Sequence, residues 1–399
     1  MRKLFNFDNN IKENKKKINK KKLAITIVIS LIIIIIAIMM IVYSVNKPFR
    51  KFLDKYLFRK NITDEKLVAI ELDYDSNVSV LAYNKYICVL AENKLKQYNS
   101  SGELVEEIKL EINNPVYSVN NKYLAISEKD SSKIHLISGT KEIWEREVDG
   151  NIAKLDVNEN GYVTAVIEGT TYKSVIVTFD VKGNEMFKTY LSTTIAMDAT
   201  ISSDNKNLAF AEIGTSGTNI QSKVKIVSIE KAKETPSDSI TYTFTAPVNS
   251  LITNINYQSK SKLVCICDDA VHIIENNEDE VILNLNEQDK KINSADINLE
   301  GHIYRTVEET TGLFSADTNV EILNTENNKQ VVYTVEGVAK NIYCKGHVIA
   351  INLGQEVEFI NTSGWLIKNY TSTHDVQNII IGNNLAGIIY SDKIEIINL

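Results

Sequence analysis

Val116-Tyr-Ser-Val-Asn-Asn-Lys-Tyr-Leu-Ala-Ile-Ser-Glu-Lys-Asp-Ser-Ser-Lys-Ile-His-Leu-Ile-Ser-Gly-Thr-Lys-Glu-Ile-Trp-Glu-Arg-Glu-Val148 holds four short apolar runs, 116–119, 123–127, 133–137 and 142–148, parted by polar turns. Each run alternates apolar and polar residues and is rich in Val, Ile, Leu and Tyr, the pattern of half-buried strands. The stretch predicts an inner strand, a tight turn, a second strand, a loop, a third strand, a turn and an outer strand.

The same unit recurs along the chain. A turn followed by a hydrophobic strand is found at Asn84-Lys-Tyr-Ile87, Asn121-Lys-Tyr-Leu124, Asn160-Gly-Tyr-Val163, Lys206-Asn-Leu208, Ser261-Lys-Leu263, Glu300-Gly-His-Ile303, Lys345-Gly-His-Val348 and Asn383-Asn-Leu385. The apolar anchors Ile87, Leu124, Val163, Leu208, Leu263, Ile303, Val348 and Leu385 are 37, 39, 45, 55, 40, 45 and 37 residues apart. Four strands per repeat at such a period define a β-propeller. The fold class is therefore all-β, with eight four-stranded blades, or seven if one repeat is read too generously. A stacked solenoid and a pair of β-sandwiches are the alternatives. The last unit offers three strands, at 376–381, 385–390 and 393–397. The missing strand is expected from Lys66-Leu-Val-Ala-Ile-Glu-Leu72, which would close the ring and remove a sheet edge open to aggregation.

Ahead of the propeller lies Leu23-Ala-Ile-Thr-Ile-Val-Ile-Ser-Leu-Ile-Ile-Ile-Ile-Ile-Ala-Ile-Met-Met-Ile-Val42, uncharged throughout. A helix of that length covers about 30 Å, the thickness of a bilayer core. No A-x-A-like cleavage site follows, so a retained signal anchor is expected. The domains read as a basic cytoplasmic tail (1–22), a transmembrane anchor (23–45), an amphipathic juxtamembrane linker (46–65) and the propeller (66–399). In the linker, Phe49, Phe52, Leu53, Tyr56 and Leu57 form one apolar helical stripe. Nine basic residues precede the span and six follow it closely, which favours a cytoplasmic amino terminus and an extracytoplasmic propeller.

The 399-residue chain carries a net charge of −7, but the sign is unevenly distributed. Beyond Lys60 there are 29 basic and 48 acidic side chains, a net of −19. Such a surface repels phosphate backbones, which argues against nucleic acid. The partners expected instead are the membrane, through the one span, and a protein or envelope polymer.

Ser202-Ser-Asp-Asn-Lys-Asn-Leu-Ala-Phe210 resembles the turn-and-strand signature of WD-like and TolB-like propeller repeats. Ser138-Gly-Thr-Lys-Glu-Ile-Trp144 resembles the outer strand of pyrroloquinoline-quinone-type repeats. Taken with the tail and anchor, the whole chain resembles a clostridial family of unknown function made of membrane-tethered β-propellers. That resemblance implies a fold and a tethered placement and carries over no active site. Only Trp365, after Ser363-Gly364, matches Trp144, so the quinoprotein signature is missing from most blades and no cofactor is expected.

Candidate chemistry is sparse. No nucleophile elbow, phosphate-binding loop or dinucleotide fingerprint occurs, and no catalytic residue is assigned. The histidines His135, His272, His302, His347 and His374 show no zinc-type spacing, and no metal site is assigned. Cys265-Ile-Cys267 places two thiols on one strand face; small core residues are the plainer reading, a redox or metal pair the other. The acidic runs Asp73-Tyr-Asp75, Asp268-Asp269 and Glu275-Asn-Asn-Glu-Asp-Glu280 read as solvated turns. Asp156 and Asp296, at equivalent ends of inner strands, read as turn-bonding residues, with a channel-facing role as the alternative.

Loop lengths point to one face. Gly214–Gln221 in blade 4 and Glu309–Asp317 in blade 6 are the longest second-to-third loops, and Leu313 and Phe314 are the candidate partner-binding residues. Lys231–Asp238, on the other face, reads as a solvated excursion. The expected function is a binding or scaffolding module at the cell envelope. The alternative is an envelope enzyme, a glycan lyase or hydrolase or a quinone-dependent dehydrogenase, with its site in the propeller channel.

Overall fold

The computed structural model describes residues 20–399 apart from 59, 64–66, 73–77, 121, 215–218, 288–289 and 313–314. The chain forms two units, one up to Asn61 and one from Ile62 to Leu399.

The first unit is helical. Helix α1 (Lys20–Val45) is apolar and exposed over Ile25–Val45, and among the described residues it is the one helix long and apolar enough to cross a membrane. Helix α2 (Lys47–Tyr56) starts at Asn46, whose side chain accepts from Phe49 N, with Pro48 in the first turn, where its missing N–H costs nothing. The expected apolar stripe holds only in part: Leu53 is buried, whereas Phe52 and Leu57 are exposed. Polar bonds fix the corner instead. Asp54 accepts from the Tyr43 hydroxyl (2.7 Å) and pairs with Lys60 (2.8 Å), and Arg50 donates to the carbonyls of Tyr43 and Ser44.

The second unit is a β-propeller of eight four-stranded blades. Blades 1 to 7 occupy Ser79–Lys109, Pro115–Glu147, Asn151–Leu191, Thr194–Thr245, Ile252–Asn284, Lys291–Val335 and Asn341–Thr371. Blade 8 is built from Asn378–Gly382, Leu385–Ile389 and Lys393–Asn398, and its outermost strand is Val68–Glu71. That strand runs antiparallel to the last one, with Ile70 opposite Ile394 and Ala69 opposite Glu395. The ring therefore closes where the sequence predicts. A short strand, Asn61–Thr63, lies at the outer edge of the blade 7 sheet.

The core sits between blades rather than within any one of them. A twisted four-stranded sheet has two apolar faces and must bury both, and the described residues form eight hydrophobic clusters, each drawn from two consecutive blades. The cluster of Ile70, Ile87, Val89, Leu385, Ile394 and Ile396 joins blade 8 to blade 1. Large side chains of one blade key onto glycines of the next. Trp144 of blade 2 lies against Gly183 of blade 3, where a Cβ would come within 2.8 Å of the indole, and its Nε1 donates to the Val181 carbonyl. Tyr123 lies against Gly161 in the same way. The residue that suggested a quinone-type repeat thus serves as an inter-blade key.

Candidate functional site

Antiparallel alternation brings the second-to-third loops and the links between blades to one face. On that face two hairpins stand above the rest. The middle strands of blade 4, Asn207–Gly214 and Gln221–Ser228, have eight residues each, and those of blade 6, His302–Thr310 and Ala316–Asn324, have nine. The corresponding strands of blade 5, Leu263–Cys267 and Ala270–Glu275, have five and six. The ladders stay paired to their tips, at Gly214 opposite Gln221 and Thr310 opposite Ala316, whereas blade 5 ends at Ile266 opposite Val271. Measured from the repeat anchors, the two hairpins run three to four residues further than blade 5, about 10 Å at the strand rise. They leave a notch floored by the blade 5 turn. Leu313 and Phe314 belong to the tip of the blade 6 hairpin and lie outside the described residues, as do 215–218 of the blade 4 tip.

Acidic groups mark the floor and one wall of this notch. At the turn, Ser250 Oγ lies 3.0 Å from Asp268 Oδ1 and 2.6 Å from Asp269 Oδ1, and Leu251 N donates to Asp268. On the blade 6 hairpin, Glu308 pairs with Lys291 (2.5 Å) and Glu309 accepts from Asn319 (2.8 Å). The link from blade 5 to blade 6 is pinned by Arg305, which is 4% exposed. Its guanidinium donates to Glu321 (2.6 Å), Glu287 (2.5 Å) and the Asn284 carbonyl. Lys290 also reaches Glu287 (2.9 Å), and Lys290 and Arg305 together hold that carboxyl below the usual range.

Around the ring, polar residues of the inner strands tie blades together. Ser118 Oγ of blade 2 donates to Asp156 of blade 3 (3.2 Å) and accepts from Val157 N (3.1 Å). Lys154 of blade 3 meets Asp198 of blade 4 at 2.8 Å, and the other oxygen of Asp198 accepts from Ile255 N of blade 5 (3.0 Å). Burial and the negative charge of Asp198 push the Asp156 carboxyl up to about 6, against the pull of Thr200, Ser118 and Lys154. Lys345 of blade 7 reaches past blade 8 to the Ala82 carbonyl of blade 1 (3.3 Å), and burial lowers its ammonium to about 8.

The two aspartates paired by the sequence reading part ways here. Asp296 accepts from Asn298 N (2.8 Å), the local bond expected of it, but it does so within the strand Lys291–Leu299 and also meets the Cys344 thiol of blade 7. Asp156 makes no such bond. The turn reading is corrected to an inter-blade one, because its strand end falls where the inner strands of blades 2, 3 and 4 converge. Nothing in the sequence singles out Asp198 or Arg305, since their partners are 44 and 57, and 16 to 21, residues away. His302 is structural, with Nδ1 on the Glu300 carbonyl and Nε2 on Asn324, and His347 meets the Glu300 carboxylate at 3.3 Å. Cys265 and Cys267 are buried on one face of blade 5, with His272 directly across the ladder from Cys265. Hydrogen bonding to Cys265 and His272 draws the Cys267 thiol down, while Cys265 is pushed up. Asp73-Tyr-Asp75 lies outside the described residues.

Lys231–Asp238 is exposed at every residue but Ala232, as expected of a solvated excursion. Its first turn lies in helix α3 (Ile229–Glu234), which Ser228 caps through Lys231 N, and Ile229 and Ala232 bury themselves beside Tyr162, Met186 and Phe187 of blade 3. The helix walls a groove of about 520 Å³ between blades 3 and 4.

Solved structures share this architecture at low sequence identity. The C-terminal WD40 domain of Sif2 matches with a TM-score of 0.54 and 12% identity, over 83% of this chain and 99% of that one. Sqt1 from Chaetomium thermophilum matches with a TM-score of 0.52 and 10% identity, over 84% and 99%. BamB from Moraxella catarrhalis matches with a TM-score of 0.48 and 11% identity, over 84% and 99%. No curated protein matches the sequence. At these identities the likeness is one of fold alone. Membership is decided by residues 59–399, which match the model of a family of unknown function, and the chain belongs to that family, DUF5711.

Proposed function

We propose that this protein is a binding or scaffolding module tethered to a membrane by α1, with residues 1–22 cytoplasmic, 46–65 a juxtamembrane linker and the propeller outside the cytoplasm. The observation that carries the binding reading is the pair of projecting hairpins on blades 4 and 6, flanking the lower turn of blade 5. Propeller blades need only four strands of about five residues to close the ring, so residues added at two tips on one face add surface rather than stability. The acidic groups along the notch favour a basic protein segment over an acidic one. Lys154 pairs with Asp198 and Asp156 bonds to Ser118, so these inner-strand charges tie blades together and the enzyme reading gains no support from them.

Crosslinking in intact cells with Leu313→Ser and Phe314→Ser together tests the binding surface. The double variant should lose most partner capture while the propeller keeps its melting temperature. Unchanged capture, or a collapse of the fold, removes the blade 6 tip from the interface. Protease added to right-side-out protoplasts tests placement: digestion of the propeller with the tail protected is expected, and protection of the propeller until lysis reverses the orientation.

A further inference from the structure

The third and fourth strands of blade 2 bring together three side chains that are scattered in sequence. His135, on Lys133–Ser138, lies directly across the ladder from Glu145, on Lys141–Glu147. A β-bulge between Glu142 and Trp144 breaks the alternation. It turns Glu142 onto the same face as Glu145, where regular pairing would set them on opposite faces. His135 Nδ1 is 2.6 Å from Glu142 Oε1 and 3.9 Å from Glu145 Oε2, and one ligand atom from each residue lies within 4.8 Å of the others. The imidazole is nearly buried, at 11% exposure, while the carboxylates are open to solvent at 34% and 48%. Among the described residues this is the one such group of His, Cys, Asp and Glu.

We infer that His135, Glu142 and Glu145 form a binding site for a first-row divalent transition-metal ion, with Zn²⁺ the best fit. One imidazole nitrogen and two carboxylate oxygens are the donors such ions take, and two negative charges match the ion's own. Calcium, which takes six to eight oxygens, is served poorly by three donors of which one is nitrogen. Bond lengths of about 2.0–2.2 Å place tetrahedral ligand atoms roughly 3.4 Å apart. The site reaches that spacing when Glu145 closes on the imidazole and Glu142 draws back, both by rotation of exposed side chains. Two events accompany binding. The imidazole proton, on Nδ1 when it faces Glu142, sits on Nε2 so that Nδ1 can take the ion. Lys133, now 3.3 Å from Glu145, gives up a solvent-exposed pair. The three residues leave at least one coordination position to water, and the ion clamps the outermost strand of blade 2 to its neighbour at the solvent edge. The group is remote in sequence from Leu313 and Phe314 and is independent of the partner-binding proposal.

Calorimetric titration of the full-length protein in detergent with Zn²⁺ alone tests the site. One ion per chain is expected at micromolar concentration, with a raised melting temperature. His135→Gln and Glu145→Gln should each weaken binding at least tenfold. His347→Gln, at an exposed histidine outside the group, should leave it unchanged. Glu145 is half-exposed, so its variant keeps the test valid if His135→Gln fails to fold. No saturable binding below 1 mM, equal binding of Ca²⁺, or zinc binding that survives both variants would overturn the assignment.

Discussion

Lys154 of blade 3 and Asp198 of blade 4 meet at 2.8 Å, and because Asp198 also accepts from Ile255 N of blade 5, one carboxylate joins three consecutive blades. Asp198 is 3% exposed, whereas the Lys154 side chain is 39% exposed. The two ends of the pair are therefore unequal: released Lys154 can find water, but a bare backbone N–H at Ile255 cannot. Asp198→Ala should cost about 3 kcal/mol, toward the low end for a broken buried pair. The shift in urea midpoint measures it, and a loss under about 1 kcal/mol would show that the blades hold without this link.

Asp156 supplies a pH test. Its carboxyl sits at about 6 in the fold, above its unfolded value, so between about pH 4 and 6 the native state binds the extra proton. Stability tied to that proton is fully present below the window and is lost as pH rises through it. Asp156→Asn keeps a neutral side chain for Ser118 and Thr200. It should be more stable than the parent by about 1–2 kcal/mol at pH 7, with the difference gone by pH 4. Melting curves at the two pH values check it, and a difference that stays constant with pH would disprove the raised carboxyl.

Gly183 is required twice over, by φ of +78° and by the indole of Trp144 where a Cβ would fall. Gly139, with φ of +63° and open space around a would-be Cβ, separates the two effects. Gly139→Ala should cost about 1 kcal/mol of backbone strain alone. Gly183→Ala should cost about 2–3 kcal/mol, because the key between blades 2 and 3 is displaced as well. Equal losses in the two variants would mean that Trp144 yields without cost.

Closure of the ring rests on four residue pairs between Val68–Glu71 and the last strand. Ile70, 5% exposed and opposite Ile394, is the apolar contact at its centre. Ile70→Asp would bury an unpaired charge, and the outer strand should detach rather than accept it. The expected result is protease cleavage between α1 and blade 1 under conditions where the parent resists, together with a lower melting temperature. A variant as resistant as the parent would show that the closing strand is dispensable.

Period decided the architecture. Strand alternation at 116–148 and eight recurring anchors pointed to eight blades, with seven left open, and to the strand order and the closing partner, because each depends on local patterning and on the need to bury two faces of every sheet. Helix α1 was legible for a similar reason: an uninterrupted apolar run of that length forms one helix long and apolar enough to cross a membrane. Position within the ring was not legible. Lys154 and Asp198, Ser118 and Asp156, and His135 with Glu142 and Glu145 meet through register, a bulge and the convergence of inner strands, none of which leaves a spacing in the sequence. Lys231–Asp238 reads as solvated because its charges dominate, and it is so apart from Ala232, whose burial with Ile229 against blade 3 only the packed arrangement shows. Sequence determined which segments pair and close; the tertiary structure decided which polar groups those pairings leave face to face.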